Sequence, residues 1–307
     1  MFYAGVYPVD NVFLPVDQMC DRAHMALNTV KGRYMTRYAY YDENMRDLLL
    51  EEQTILRDMD FALEENQFCI YLQPIYSLKV DRPVSAEALV RWIHPTKGVL
   101  SPGRYIPLFE KNGFIVQLDR FVWECACKFL HARQERGECI VPISVNVSRL
   151  NFYNDDFFDT IVHLLKKYHL EPWMLKLEIT ESAYTDNPYQ LLNVMKKFQN
   201  YGIKILMDDF GSGYSSLNML KNVIVDTLKV DMNFVQDLEN SQRAAAIVEA
   251  VVQLAKNIHM DVIIEGVETK AQIDFLESIG CDLIQGYYFS RPVPEEEFIK
   301  LLDEKKN

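Results

Sequence analysis

The sequence predicts an α/β fold: a TIM-like (β/α)8 barrel with its first strand antiparallel, plus a small N-terminal α/β remnant. Three observations predict it. From Phe68 onward, strand-like segments recur at 68–75, 84–92, 141–147, 174–179, 203–209, 225–231, 261–265 and 283–288. Helix-like stretches fall between them at 115–135, 155–168, 187–200, 240–258, 269–279 and 294–303. Such alternation implies parallel strands with crossover helices, and eight of them favour a closed barrel over an open sheet. Finally, residues 76–84 form a link of hairpin length, which would turn the first strand against the second.

The elements before Phe68 follow another pattern. A strand-like piece (Phe2 to Pro8), a helix-like piece (Val16 to Val30) and a second strand-like piece (Met35 to Tyr41) occupy residues 1–44. They are too few to hold a core alone, so they look like the tail of a larger α/β domain. Residues 45–66 read as one helix, because Met45, Leu48, Leu49, Glu52, Ile55, Leu56, Met59 and Leu63 trace an almost wholly apolar stripe at helical spacing. The expected organisation is therefore 1–44, a connecting helix at 45–66, and a barrel at 67–307.

Composition narrows the function classes. Apolar residues make up 49% and charged residues 25%, normal for a globular chain with a real core. No apolar run approaches the roughly 18–20 residues of a membrane-spanning helix. The start MFYAGVYPVDN lacks a signal peptide's basic and apolar regions, so no membrane segment and a cytoplasmic location are expected. Six cysteines are present without a CxxC pair, which suits buried thiols better than zinc or disulfides. The net charge of -12 argues against a nucleic-acid polymer as partner. A small phosphorylated ligand would still need a local positive centre, which bound metal can supply.

What ends each strand carries the chemistry. IYLQP ends on Gln73, VSAEALVRW carries Glu87 and Arg91, and VPISVNVS carries Asn146. LKLEITE ends on Glu178 and Glu181, IKILMDDFG on Asp208 and Asp209, and DTLKVD on Lys229 and Asp231. DVIIEGVE ends on Glu265 and Glu268, and LIQGYYFS carries Gln285. One acid at a strand end is usually solvated or caps the next helix. Recurrence across so many strands changes the reading, because the C-terminal strand ends of a parallel barrel share one face. Glu87 and Arg91 have the same parity and point the same way. Asp208 and Asp209 are adjacent, so both can face one site only if the strand ends and turns there, which Gly211 and Gly213 would permit.

Glu87, Glu178, Asp208, Asp209 and Glu265 would bring five negative charges together, and Lys229 offsets one. Two divalent cations restore the balance. An all-oxygen donor set suits Mg2+ or Mn2+, and paired metals are a recurring device for displacement at phosphorus. Lys229 can orient the attacking water. Residue types alone thus give metal-assisted phosphoester hydrolysis without naming the ester.

The ordered set YLQPI, EALVRWIHPTKG, SPGRYIPLFEKNG, ISVNVS, LEITES, MDDFGSGYSSL, LKVD, EGVET and QGYYFSRP, over about residues 68–303, resembles the EAL family of cyclic di-GMP phosphodiesterases. The resemblance implies hydrolysis of cyclic di-GMP to linear pGpG. It assigns metal coordination to Glu87, Asn146, Glu178, Asp208, Asp209 and Glu265, and water-holding to Lys229. Glu265 or Lys229 would stand closest to general-base duty, and Gln73, Arg91 and Gln285 fall where the family contacts substrate. Residues 208–216, including Gly211, Ser212 and Gly213, correspond to the loop that joins the metal site to the family's homodimer interface. Glu181 sits where the family braces that loop with a glutamate, and Glu268, the second glutamate of EGVE, is expected to stand behind the ligands. The N-terminal stretch resembles the end of a GGDEF domain. The GGDEF motif is absent, so cyclase activity is not expected. The competing expectations are a weakly catalytic EAL module that acts as a cyclic di-GMP receptor or scaffold, and a barrel that cuts another phosphodiester.

Overall fold

The computed structural model describes residues 2–32, 36–181, 183, 188–211, 220, 223, 225–239 and 241–303. Two compact units comprise Met1–Glu65 with Gly103–Leu108, and Asn66–Pro102 with Phe109–Asn307.

In the first unit, β1 (Ala4–Val6) and β2 (Tyr38–Tyr40) pair in parallel, with α1 (Val16–Val30) between them in sequence. The strands are shorter than their apolar patterns suggested. α2 (Glu43–Glu64) starts where Asp42 accepts a hydrogen bond from the Asn44 N–H at 3.2 Å, satisfying one of the orphan donors of a helix N-terminus. Ile55 and Ala62 are its buried residues, whereas Leu48, Leu49, Leu50 and Phe61 are exposed. The expected stripe is therefore covered only in part.

The second unit is the barrel. β3 (Phe68–Ser77), β4 (Arg82–His94), β6 (Ile143–Asn146), β7 (Leu175–Thr180), β8 (Lys204–Phe210), β9 (Thr227–Val230), β10 (Asp261–Ile264) and β11 (Leu283–Ile284) form a closed circuit. β3 is antiparallel to both its neighbours, β4 and β11, as the short link required, and the other pairings around the circuit are parallel. Helices α4 (Ile115–Glu135), α5 (Phe157–Lys167), α6 (Pro188–Tyr201), α7 (Gln242–Asn257), α8 (Lys270–Ser278) and α9 (Glu295–Asp303) follow in sequence. The pattern had missed β5 (Gly98–Leu100), α3 (Pro102–Asn112) and β12 (Val293–Pro294). The last barrel strand is two residues long, and Gly286 to Ser290 turn away from it. Among the described residues, no helix is long and apolar enough to cross a membrane.

Alternation along the strands sorts two cores. Outward-facing residues such as Leu177, Met207, Leu228 and Ile264 join Trp123, Leu130, Phe157, Phe198 and Phe298 in one large apolar cluster. Full burial of each such side chain contributes about 1.5–3 kcal/mol. Inside the barrel, Ile75, Leu206 and Ile263 form a separate plug. Each lies two positions from a polar residue, Gln73, Asp208 or Glu265, the last one position past the end of β10. An apolar floor thus supports a polar layer, since residues two apart share a face.

Candidate functional site

The polar layer has Lys229 at its centre. Its side chain is 1% exposed, and Nζ lies 3.0 Å from Glu87 Oε2, 2.6 Å from Glu178 Oε2, 3.0 Å from Asp208 Oδ1 and 2.9 Å from Glu265 Oε1. Four strands deliver those carboxylates and β9 delivers the lysine. The expectation that far-apart acids converge is met for these residues. Lys229, expected to hold a water, is also the hub of a charge cluster.

Glu87 collects three donors. Asn146 Nδ2 donates to Oε1 at 2.9 Å, while Lys229 Nζ at 3.0 Å and Gln285 Nε2 at 2.8 Å donate to Oε2. Gln285 Nε2 also donates to Gln73 Oε1 at 3.0 Å, so Gln73, Asn146 and Gln285 share one network with the acid. Burial works to raise the Glu87 pKa, but Lys229 and these donors outweigh it and hold it below the ordinary value. Glu178 is pushed well above its usual range by burial and by Glu87. Burial raises Glu265 to about 7; Lys229 opposes the rise, while Asp208 and Glu87 add to it. For Lys229, burial favours the neutral amine, yet Glu178, Glu87, Asp208 and Glu265 hold its pKa well above normal.

Asp209 corrects one expectation. The strand does not end at the aspartates; it runs on to Phe210, and the register with β9 shifts between Met207 and Phe210. Asp209 itself takes a left-handed backbone with φ 57°. Such a bulge turns two successive side chains towards one side. Asp208, Asp209 and Glu265 can therefore offer oxygens within 4.8 Å of one another, and so can Glu87, Glu178 and Asp208. Gly211 follows at φ 96°, where an added Cβ would run into the Phe234 ring. Burial, Asp208 and Asp231 raise the Asp209 pKa.

The remaining expected residues divide. Glu181 is buried directly after β7. Arg91 donates from Nη1 to the Val90 carbonyl at 2.8 Å and lies 5.4 Å from the Tyr71 ring centroid. Among the described residues it makes no ion pair with the carboxylates. Glu268 is exposed, and its backbone N–H donates to Gln272 Oε1 at 2.8 Å as α8 begins. Ser212 and Gly213 lie outside the described residues. The sequence reading overlooked Asp119, Trp123 and Asn151, which sit behind Asn146. A buried acid on the apolar face of α4, beside Leu118 and Val122, was the available signal.

The donor set fits a hard divalent cation. It is all oxygen, two three-carboxylate groups share Asp208, and Glu178 Oε1 is buried without a hydrogen-bond partner among the described residues. An orphaned buried acceptor of this kind is costly unless a ligand completes it.

The EAL domain model matches residues 56–292. The bifunctional diguanylate cyclase/cyclic di-GMP phosphodiesterase MucR of Pseudomonas aeruginosa is 35% identical over 277 residues, covering 90% of this chain and 40% of that protein. Cyclic di-GMP phosphodiesterase NbdA of the same organism is 35% identical over 299 residues, covering 96% of this chain and 38% of that protein. The solved PaMucR phosphodiesterase in complex with c-di-GMP superposes with a TM-score of 0.76 at 37% identity, covering 80% of this chain and 99% of that one. This chain spans about two fifths of the length of the curated relatives it matches.

Proposed function

This chain belongs to the EAL domain family, and from that premise we propose that it hydrolyses one phosphodiester bond of cyclic di-GMP to linear pGpG, using two divalent cations, Mg2+ or Mn2+. The observation that carries the proposal is the pair of oxygen-donor groups sharing Asp208 beside a buried lysine. The name and ligand of the MucR structure support the choice of ester.

Glu87, Asn146, Glu178, Asp208, Asp209 and Glu265 would hold the metal. Bound there, divalent cations would polarise a phosphoryl oxygen and bring the pKa of water near neutrality. Lys229 steadies the carboxylates and orients water through an Nζ proton. Glu265, or Lys229, stands closest to general-base duty, with Glu265 Oε1 2.9 Å from Lys229 Nζ. Gln73 and Gln285 supply amide groups at the rim, and the remaining Arg91 donors match the geometry of a phosphate oxygen. Glu181 and Gly211 would support the loop that follows, and Glu268 stands apart from the ligands on an exposed turn.

The same reading carries three further parts. Residues 1–44 are the C-terminal fragment of a GGDEF-like domain, with α2 (Glu43–Glu64) as the connecting helix, supported by MucR's description as bifunctional. The chain works in the cytoplasm. Two copies pair near residues 208–216, for which sedimentation at several concentrations is the check.

Incubation of the purified protein with cyclic di-GMP and Mg2+ or Mn2+ is expected to yield pGpG on chromatography. Binding without product in either metal would replace the enzyme by a receptor. Metal binding should also depend on pH in a definite direction. A protonated Glu265 cannot ligate, and its pKa lies at about 7. Protons therefore compete below neutrality, and Mn2+ affinity should rise at least about tenfold from pH 6 to pH 8, since burial and Glu87 raise Glu178 as well. Titration calorimetry in buffers of different ionisation enthalpy should show net proton release on Mn2+ binding at pH 6 that declines as the pH rises. A pH-independent affinity would contradict the placement of Glu265 in the metal shell.

A further inference from the structure

Asn146 is the neutral member of the proposed donor set, and β6 ends on it after only four residues. A carboxamide has no charge to draw it towards a cation, so its value as a ligand depends on where the backbone holds it. Two side chains from α4 fix that backbone. Trp123 Nε1 donates to the Asn146 carbonyl oxygen at 3.1 Å. Asp119, one turn earlier on the helix, accepts the Ser148 N–H at 2.8 Å and Asn151 Nδ2 at 2.6 Å, both on Oδ2. Val147 N–H donates to the Glu178 carbonyl oxygen at 2.9 Å, which ties the same segment to β7. Asp119 is 7% exposed and Asn151 1%. The carboxyl group is therefore committed to this turn rather than to solvent.

We propose that Asp119 and Trp123 are positioning residues for metal capture, acting through Asn146. The inference rests on the metal-centre reading above. In its physical form, α4 holds the carbonyl of Asn146 and the turn two residues later. The Asn146 side chain, already donating to Glu87 Oε1, is thereby left with one orientation for its Oδ1. Partners of this outer kind typically change metal affinity by about 10–100-fold when removed.

A double-mutant cycle read by Mn2+ affinity separates this role from a structural one. Free Mn2+ is counted by electron paramagnetic resonance on protein kept well below its unfolding transition. Asp119→Ala is expected to weaken Mn2+ binding by about 10–100-fold in the native chain, and by less than about threefold once Asn146 is already Ala, because the two changes break one linked arrangement. Asp119→Asn keeps an oxygen acceptor for Ser148 and Asn151 and should stay within about threefold of the native affinity. That tolerance also follows from burial, which pushes the Asp119 carboxyl up to about 8 and so favours its neutral form. If Asp119→Ala does not fold, Trp123→Phe takes its place. That change keeps the ring bulk and removes the Nε1–H donor to Asn146, with an expected loss of about 3–10-fold that again vanishes in the Asn146→Ala background. Equal losses in both backgrounds, or unchanged affinity in a folded Asp119→Ala protein, would overturn the inference and leave the metal centre standing. No Mn2+ binding by the native chain would remove both.

Discussion

Lys229→Met is expected to destabilise the metal-free protein by about 3–5 kcal/mol, with Mn2+ or Ca2+ restoring most of that loss. The lysine is fully buried and its Nζ faces four carboxylates within 3.0 Å. Methionine nearly matches its volume but carries no charge, so the acids lose the cation that holds them together. They must then repel one another or take up protons, and Glu178 and Glu265 are already raised. Divalent cations replace the missing charge, so unfolding by urea should shift back as metal is added. Turnover should not return with stability, because the proposed water-orienting role needs an N–H donor that methionine lacks. Ca2+ should stabilise yet support poor hydrolysis, since its larger and looser shell places water less well. A variant as stable as the native chain without metal would show that the cluster does not depend on Lys229.

Glu87→Ala should reduce pGpG formation by at least about 10³-fold while leaving the barrel folded. The acid contributes to the group it forms with Glu178 and Asp208, and it accepts hydrogen bonds from Asn146, Lys229 and Gln285. Its removal leaves those donors short of a partner, at about 1–3 kcal/mol for each one left buried and unsatisfied. Relief of repulsion opposes that loss, because Glu178 loses the neighbour that raises its pKa. The net change in stability should therefore be small beside the change in rate. Near-native turnover in a folded Glu87→Ala protein would contradict the assignment of this acid to the metal.

The barrel was legible because its signal is periodic. Apolar segments that end on carboxylates recur through the chain, and the short link after β3 announced its antiparallel course. Glu87, Glu178, Asp208, Lys229 and Glu265 could be placed on one face because the C-terminal strand ends of a parallel barrel share it. Parity could not place Asp209, because a bulge with φ 57° is a backbone event that no side-chain period records. The stretch SPGRYIPLFEKN hid α3 behind Gly103 and an internal Pro107, both of which read as loop. Lys229's hub position was only half visible. Charge counting gave the imbalance, but not the distances that make one amine serve four acids. The support behind Asn146 was missed for a different reason: Asp119 and Trp123 lie on a helix far from the motifs, and their contacts with the turn after β6 emerge only in three dimensions.

Acids from several strands are proposed to seat paired hard cations at the barrel mouth. Anomalous diffraction from crystals soaked in Mn2+ tests it most directly. Two peaks are expected roughly 3.5–4 Å apart, one among Glu87, Glu178 and Asp208 and the other among Asp208, Asp209 and Glu265. Density with no peak at these oxygens, or with manganese bound only elsewhere on the surface, would contradict the account.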